Sequence, residues 1–509
     1  MIGIVLAIIY ASIFIFLIRR LSFFQIEGIS RNALSTAFIV KIIFGMLFWA
    51  VYRYYSRYQH YADAFLYFDD GKAIYQALFE SPLDYLKILL GSDDPALRHY
   101  IVHTGQWDRM FNQGLYNETR TVIRFNAIAD VFSFGNYHVH TVFMCFLSFF
   151  GLTGIYKTFT IYLADKKKEL FIAVFFLPSV LFWGSGVLKE GLILWTMGML
   201  LYHFHKLITE KYSFYHMAMI LVFTWLLAIT KIYLLLMLIP AFIAQVWVVK
   251  TRLSGRQAGN RKPVIKYLIV FALFLSAAMF QKKFDIPFML MEKQRQSIYM
   301  SSGGSYLGIP EKNKFIYISP VRKNRIIPVP GKPGYCRIVQ GVPYVSWYYE
   351  NFTDSAYVLH SADTTAYWVY YNLEQAGSKI DIPFLYPSWS SIFKNTPVAF
   401  LTTAFRPHLL EIRNPLMLMS GIENFVILIL IFLCIFFFSK KIKNTDWICF
   451  CISITLQLFV LIGLTTPILG AVVRYKIPAL PFLLIAFLLI LDKEKLLKKF
   501  PFLKKFIAL

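Results

Sequence analysis

Apolar runs near the length a helix needs to cross a bilayer, about 20 residues, recur along this chain. They fall at 2–18, 34–52, 139–163, 170–185, 187–207, 215–230, 232–249, 266–280, 421–438, 447–466 and 477–491. Each is read as a membrane-crossing helix. The polar connections between them are not uniform. Those at 19–31, 165–169, 250–266 and 439–446 are short and basic, as is the tail from Lys493, and the connection at 250–266 holds six Lys/Arg and no acid. With eleven crossings these basic segments all fall on one side, which the positive-inside rule makes cytoplasmic. The N-terminus is then outside and the C-terminus inside. The first run has neither a basic lead nor a small-residue cleavage site, so it reads as a retained helix.

Two long segments, 53–138 and 281–418, then face outward. Stretches this long inside a compact protein usually carry function. The first has helical periodicity from Asp63 to Leu90; the second is rich in Tyr, Trp and Pro, with alternating stretches at 314–319 and 335–345 that suit strands. The expected fold is an all-α polytopic membrane bundle of about eleven helices with two outward loops, the second containing some β. Residues 1–52 supply the first two helices, 53–138 an outward loop with amphipathic juxtamembrane helices, and 139–280 helices three to eight. Residues 281–418 supply an outward cap, and 419–509 the last three helices with a basic cytoplasmic tail.

Composition agrees with a lipid environment. Of 509 residues 58% are hydrophobic and 16% charged, with 50 Phe and 32 Tyr, and mean hydropathy is +0.56. Soluble domains average about 25% charged residues; this chain lacks the polar surface to cover a water-facing globule. The net charge of +24 clusters beside apolar runs, which points to topology and membrane lipids as partners rather than nucleic acid. Four of the five cysteines lie in apolar runs and only Cys336 in a long loop, which leaves the outward loops no disulfide framework.

Candidate chemistry begins with Asp63, Asp69 and Asp70. On a helix, Asp63 and Asp70 stand seven residues apart on one face, about 10 Å at 1.5 Å per residue, with Asp69 turned elsewhere. A carboxylate at the rim of an apolar domain is placed to accept a proton or hold a cation; an interfacial amphipathic helix would instead turn these acids to water. Asp69-Asp70 and Asp93-Asp94 are candidate oxygen ligands for a divalent cation, although adjacent acids in loops are usually solvated.

Basic groups gather on the same side: Lys189 with Glu190 in a Gly-flanked turn, Lys231 between two apolar runs, Arg124, Arg406 and His408 before the run at 421–438, and Arg474 near the last run. Charges at membrane depth usually face a cavity or a partner, the alternative being snorkelling to headgroups. Together they suit an anionic lipid headgroup, because the Arg fork matches phosphate. The aromatic cluster Tyr348, Tyr349, Tyr367, Trp368, Tyr370 and Tyr371 fits sugar stacking, but equally loop packing or interfacial anchoring.

These features resemble the GT-C class of membrane glycosyltransferases, which take sugars from polyprenyl-phosphate carriers. Asp63, within Ala62-Asp63-Ala64-Phe65, occupies the place of that class's catalytic Asp in the first large exported loop. Arg474-Tyr475-Lys476-Ile477-Pro478 is similar to an Arg-Tyr-x-x-Pro run near the C-terminal end of many such bacterial proteins. The stretches from Phe176 to Gly186 and Phe405-Arg406-Pro407 resemble segments of uncharacterised bacterial relatives. Unlike that class, the chain has a further N-terminal apolar run, and its acidic motif is neither Asp-Glu nor Asp-x-Asp.

The resemblance implies a GT-C-like bundle in a bacterial cytoplasmic membrane. Its expected substrates are a polyprenyl-phosphate-linked sugar donor and a glycan, lipid or protein acceptor. Asp63 would be the base, Asp70 or Asp69 a second acid, and Arg474 and Lys189 would hold the lipid phosphate. No cofactor is certain; a divalent cation on Asp69 and Asp70 is the one candidate, and whether a metal is used stays open. A polymerase or ligase of lipid-linked repeats shares these features. A lipid transporter or flippase would instead carry deep charges and broken helices.

Overall fold

The computed structural model describes residues 2–55, 62–92, 94–107, 118–210, 212–253, 261–281, 285–309, 314–332, 335–338, 343–348, 355–359, 367–439 and 442–502. The chain is mostly helical, at 77%. Seven of the described helices are long and apolar enough to cross a membrane, or eight if a pair bent by 63° counts as one span.

The first two helices are α1 (Ile2–Arg20) and α2 (Arg31–Ala50). Ser30 caps α2 by accepting the Ala33 N–H, one of the donors a helix start leaves unpaired. Next come α3 (Asp63–Glu80) and α4 (Pro82–Leu90), divided at Ser81, which caps α4 through the Asp84 N–H and is followed by Pro82 at the first helical position. Helix α4 stops at Gly91, at φ 86°, a left-handed geometry that glycine adopts without a Cβ clash. A single turn, α5 (Arg98–Ile101), precedes α6 (Thr119–Ser133).

Helix α7 (Tyr137–Thr160) is the central post. Its apolar window is 78% buried, against 11% for α1 and 17% for α12 (Arg261–Phe280) at the periphery. Between α7 and α12 lie α8 (Lys167–Phe175), α9 (Pro178–Trp183), α10 (Lys189–Thr209) and α11 (Phe214–Leu253). The apolar run at 170–185 is therefore two helices, because Pro178 lacks the N–H that would continue α8. Helices α7 and α10 approach through glycine: a methyl on Gly151 would run into the Leu194 carbonyl oxygen, and one on Gly198 into the Gly151 carbonyl oxygen. Such small-residue contacts let backbones close up where lipid offers no hydrophobic drive.

Helix α11 breaks at Lys231, whose φ of −158° and ψ of 84° are not helical. Its two limbs lead away from that break toward the same end of the bundle. On the first limb Thr121 donates to the Ile229 carbonyl, while His216 meets His203 near the end of α10. On the second, Gln457 donates to the Met237 carbonyl and Gln245 to Asp446. Lys231 is thus a tip at the rim where α10 begins, called here the near rim; both limb ends reach the far rim.

After α13 (Ile286–Ser302) the chain forms a seven-stranded antiparallel sheet. Its strands are β1 (Gly304–Ile309), β2 (Lys314–Ile318), β3 (Ile326–Pro328), β4 (Tyr335–Ile338), β5 (Pro343–Tyr348), β6 (Ser355–Leu359) and β7 (Tyr367–Leu373), in the order β3-β4-β7-β1-β2-β5-β6. The strands β2, β4 and β5 coincide with the alternating stretches of the sequence. The chain then returns to α14 (Trp389–Phe405), α15 (Pro415–Phe436), α16 (Thr445–Thr465), α17 (Leu469–Tyr475), α18 (Leu480–Ile490) and α19 (Lys493–Lys499). The base of this excursion is pinned to the end of α16. Gln294 donates to the Leu464 carbonyl, Ile380 N–H to the Pro467 carbonyl, and Leu469 N–H to the Ser378 carbonyl. The segment 281–418, read from sequence as an outward loop, therefore also carries α13 and α14.

Candidate functional site

The turn from Gly184 to Leu188 delivers Lys189 and Glu190 as the first two residues of α10 at the near rim. Gly186 is required there because a Cβ would press on the Phe48 ring. Glu190 suits the positive end of a helix, Asp63 opens α3 in the same way, and Arg474 stands in the last turn of α17, where a cation is favoured.

These residues meet. Arg474 donates from Nε to Glu190 Oε1 at 2.7 Å and from Nη1 to Asp63 Oδ2 at 2.8 Å. Beside this fork, Lys189 donates to Glu118 Oε1 at 3.1 Å and to Thr119 Oγ1 at 3.0 Å. Lys231, at the tip of α11, donates to the same Glu118 oxygen. Aromatic rings fill the spaces: Lys189 lies 5.6 Å from the Tyr67 ring centre, Lys231 5.4 Å from that of Tyr233, and Arg474 and Lys231 each 6.0 Å from that of Tyr475.

The cluster has three cations and three carboxylates arranged by depth. Side-chain exposure is 3% for Glu190, 6% for Lys189, 12% for Lys231 and 15% for Arg474, but 36% for Asp63 and 37% for Glu118. Two carboxylates therefore form the mouth and the cations the floor. Burial opposes ionisation of Glu118, yet the Lys231 and Lys189 ammoniums outweigh it and hold its carboxyl well below the usual range. Asp63 accepts from the Arg474 guanidinium and is open to solvent. The arrangement can take a proton at Asp63 and, where the carboxylates turn aside, offer an entering anion three cations.

Other candidates from the sequence lie elsewhere. Asp70 is buried and accepts the Gly105, Gln106 and Trp107 N–H groups at 2.9, 2.7 and 3.0 Å. Burial pushes its carboxyl up and the three donors oppose that rise. It fastens the 105–107 turn to α3 and does not join Asp63. Asp69 is exposed, so the two adjacent acids do not converge as cation ligands. Among the described residues no group of three or more His, Cys, Asp or Glu is placed to hold a metal ion, and the site offers no fit for a divalent cation. Arg124 donates to the Leu89 carbonyl at the end of α4 and covers the Trp107 ring. Arg406 and His408 both face Glu411 in a local turn. Asp93, Tyr349 and the side chains of Tyr348, Tyr367, Trp368, Tyr370 and Tyr371 lie outside the described residues.

Sequence reasoning missed Glu118, which no spacing singles out. It also missed a buried layer beneath Arg474: Lys476 donates to Asn424 at 2.6 Å, and Glu423 accepts the Ser179 N–H at the start of α9 at 2.8 Å. An acid inside the apolar run at 421–438 was the available signal. Compared with known proteins, the chain matches no protein-family model, no curated protein and no solved structure.

Proposed function

We propose that this protein is a glycosyltransferase of GT-C-like architecture in a bacterial cytoplasmic membrane. It moves a sugar or glycan from a polyprenyl-phosphate donor to an acceptor on the outer face. The observation that carries the reading is the paired cluster Asp63–Arg474–Glu190 and Lys189–Glu118–Lys231 at one rim of an apolar helical bundle. In this reading the donor phosphate exchanges with carboxylate on Arg474 and Lys189. The freed Asp63 takes the acceptor hydroxyl proton as the acceptor oxygen bonds the anomeric carbon. The carbon–oxygen bond to phosphate breaks, and its electron pair leaves with the lipid phosphate, which the cations stabilise. In this reading the chain crosses eleven times, the limbs of α11 counted separately, and the positive-inside rule then sets this rim and the N-terminus outside and the C-terminus in the cytoplasm.

The test is the profile of lipid-linked sugars and envelope glycans in cells lacking the protein, complemented by wild type or by Asp63→Asn at equal expression. Accumulation of a lipid-linked sugar that only wild type clears is the expected result. Full rescue by Asp63→Asn removes Asp63 from the chemistry.

A second reading, transport of an anionic envelope lipid, draws on the broken helices α8–α9, α11 and α17–α18 and on the buried charges Lys41, Glu423 and Lys476. It predicts that purified protein in vesicles moves lipid between leaflets without changing it chemically.

A further inference from the structure

On the far rim, a lateral groove of about 550 Å³ opens between the α1–α2 connection, α7, α10 and the first limb of α11. Its walls are apolar and aromatic, with Phe146, Phe150, Trp195, Met199 and Phe223 among them. The lining side chains able to carry positive charge are Lys157, His203 and His216, and no carboxylate is among the lining residues. Lys157 donates to the Phe23 carbonyl at 2.9 Å, which leaves two of the three ammonium hydrogens for other acceptors. Lys206 lies 6.0 Å from the ring of Tyr202, which also lies 5.7 Å from Lys157.

His203 and His216 share one hydrogen between their Nδ1 atoms at 2.8 Å. The ring that accepts must carry its own hydrogen on Nε2. His203 is 2% exposed, and its Nε2 has no hydrogen-bond partner among the described residues. A buried polar nitrogen without a partner is costly, and a groove that ends in Lys157, His203 and His216 lacks the acid that would complement it. Glu210, a described carboxylate near Tyr202, is paired with Lys206.

We propose that the groove binds an anionic glycerophospholipid of the far-rim leaflet, the phosphate on Lys157 and the His203–His216 pair and one acyl chain along Phe146, Phe150 and Met199. This inference is independent of the transferase reading. His203 lies fourteen residues from Lys189 along α10, about 21 Å at 1.5 Å per residue, so one phosphate cannot serve both places. The volume suits a chain segment rather than a long polyprenyl tail: it lies within the range of about 300–1,000 Å³ common for small-ligand sites.

The experiment uses delipidated full-length protein in detergent. Retention of phosphatidylglycerol, phosphatidylcholine and a polyprenyl phosphate is measured by native mass spectrometry, for wild type and for Lys157→Gln/His216→Gln. The expected result is a one-to-one phosphatidylglycerol adduct that phosphatidylcholine does not form, weakened about tenfold or more in the double variant, since a hydrogen bond to a charged group is worth about that factor. Equal retention of both phospholipids, undiminished retention by the double variant, or retention of the polyprenyl phosphate alone overturns it. If the double variant fails to fold, quenching of wild-type tryptophan fluorescence by brominated lipid decides. Brominated phosphatidylglycerol must quench more than brominated phosphatidylcholine, and Trp195→Phe must remove the difference; equal quenching refutes the site.

Discussion

Arg474→Met is the perturbation with the clearest expected size. Arg474 is the common partner of Glu190 and Asp63, and the two pairs are unequal. Asp63 is more than a third exposed, so losing its pair costs at most about 1 kcal/mol after solvent screening. Glu190 is 3% exposed, and its Oε2 has no hydrogen-bond partner among the described residues. Methionine there strands a buried carboxylate, which costs about 3–5 kcal/mol. Neutralising the stranded acid should recover most of that loss, so Arg474→Met/Glu190→Gln should be more stable than Arg474→Met alone. The assay is thermal unfolding at a fixed scan rate in detergent, followed by a thiol-reactive dye. Four of the five free cysteines are buried and become reactive on unfolding. A single variant that melts like wild type, or a double variant that melts no higher than the single, refutes the argument.

On the proposed transferase reading, Asp63→Asn should lower sugar transfer about 10²–10⁴-fold, the usual range for a lost proton acceptor, with unfolding little changed because Arg474 keeps Glu190; comparable turnover sinks the assignment. Asp70→Asn should loosen residues 98–107, because a neutral amide cannot accept three N–H groups, at a cost of about 1–3 kcal/mol; hydrogen exchange of those amides is the readout. The Glu118 carboxyl is held below its ordinary range, so its ion pairs contribute fully above about pH 4.5 and are lost only as pH falls below that. The stability gap between wild type and Glu118→Gln should therefore be constant from pH 7 to about pH 5 and close in stronger acid. Gly198→Leu should abolish accumulation of folded protein by separating α7 from α10, measurable as loss of the monodisperse peak in size-exclusion chromatography.

The sequence was most legible where chemistry is local. Apolar run length marked α1, α2, α7, α15 and α16. Alternation at 314–319 and 335–345 marked strands, since period-two patterning needs only neighbours. The 170–185 run read as continuous because hydropathy does not register the N–H that Pro178 lacks. Helix α14 escaped because it is 17 residues long and interrupted at Lys394–Pro397, which lowers its hydropathy below that of a span. The site was legible as a set of rim charges but not as pairs. Asp63 and Asp70 share a helix, yet Asp70 answers to a turn 35 residues away, and Glu118 answers to lysines 71 and 113 residues away. Those separations carry no local pattern.

The glycine contact between α7 and α10 divides the site into parts with different freedom. With Gly151 and Gly198 seated against each other's helix, α10 has no room to slide or roll on the central post, and Lys189 and Glu190 ride on it. Asp63 and Glu118 belong instead to the starts of α3 and α6, outside that contact. Any gating of this rim is then an asymmetric motion, in which Asp63 and Glu118 swing while Lys189 and Glu190 stay in place on α10. Its time course would be that of a hinged surface layer, microseconds to milliseconds, and not of a rearranging bundle.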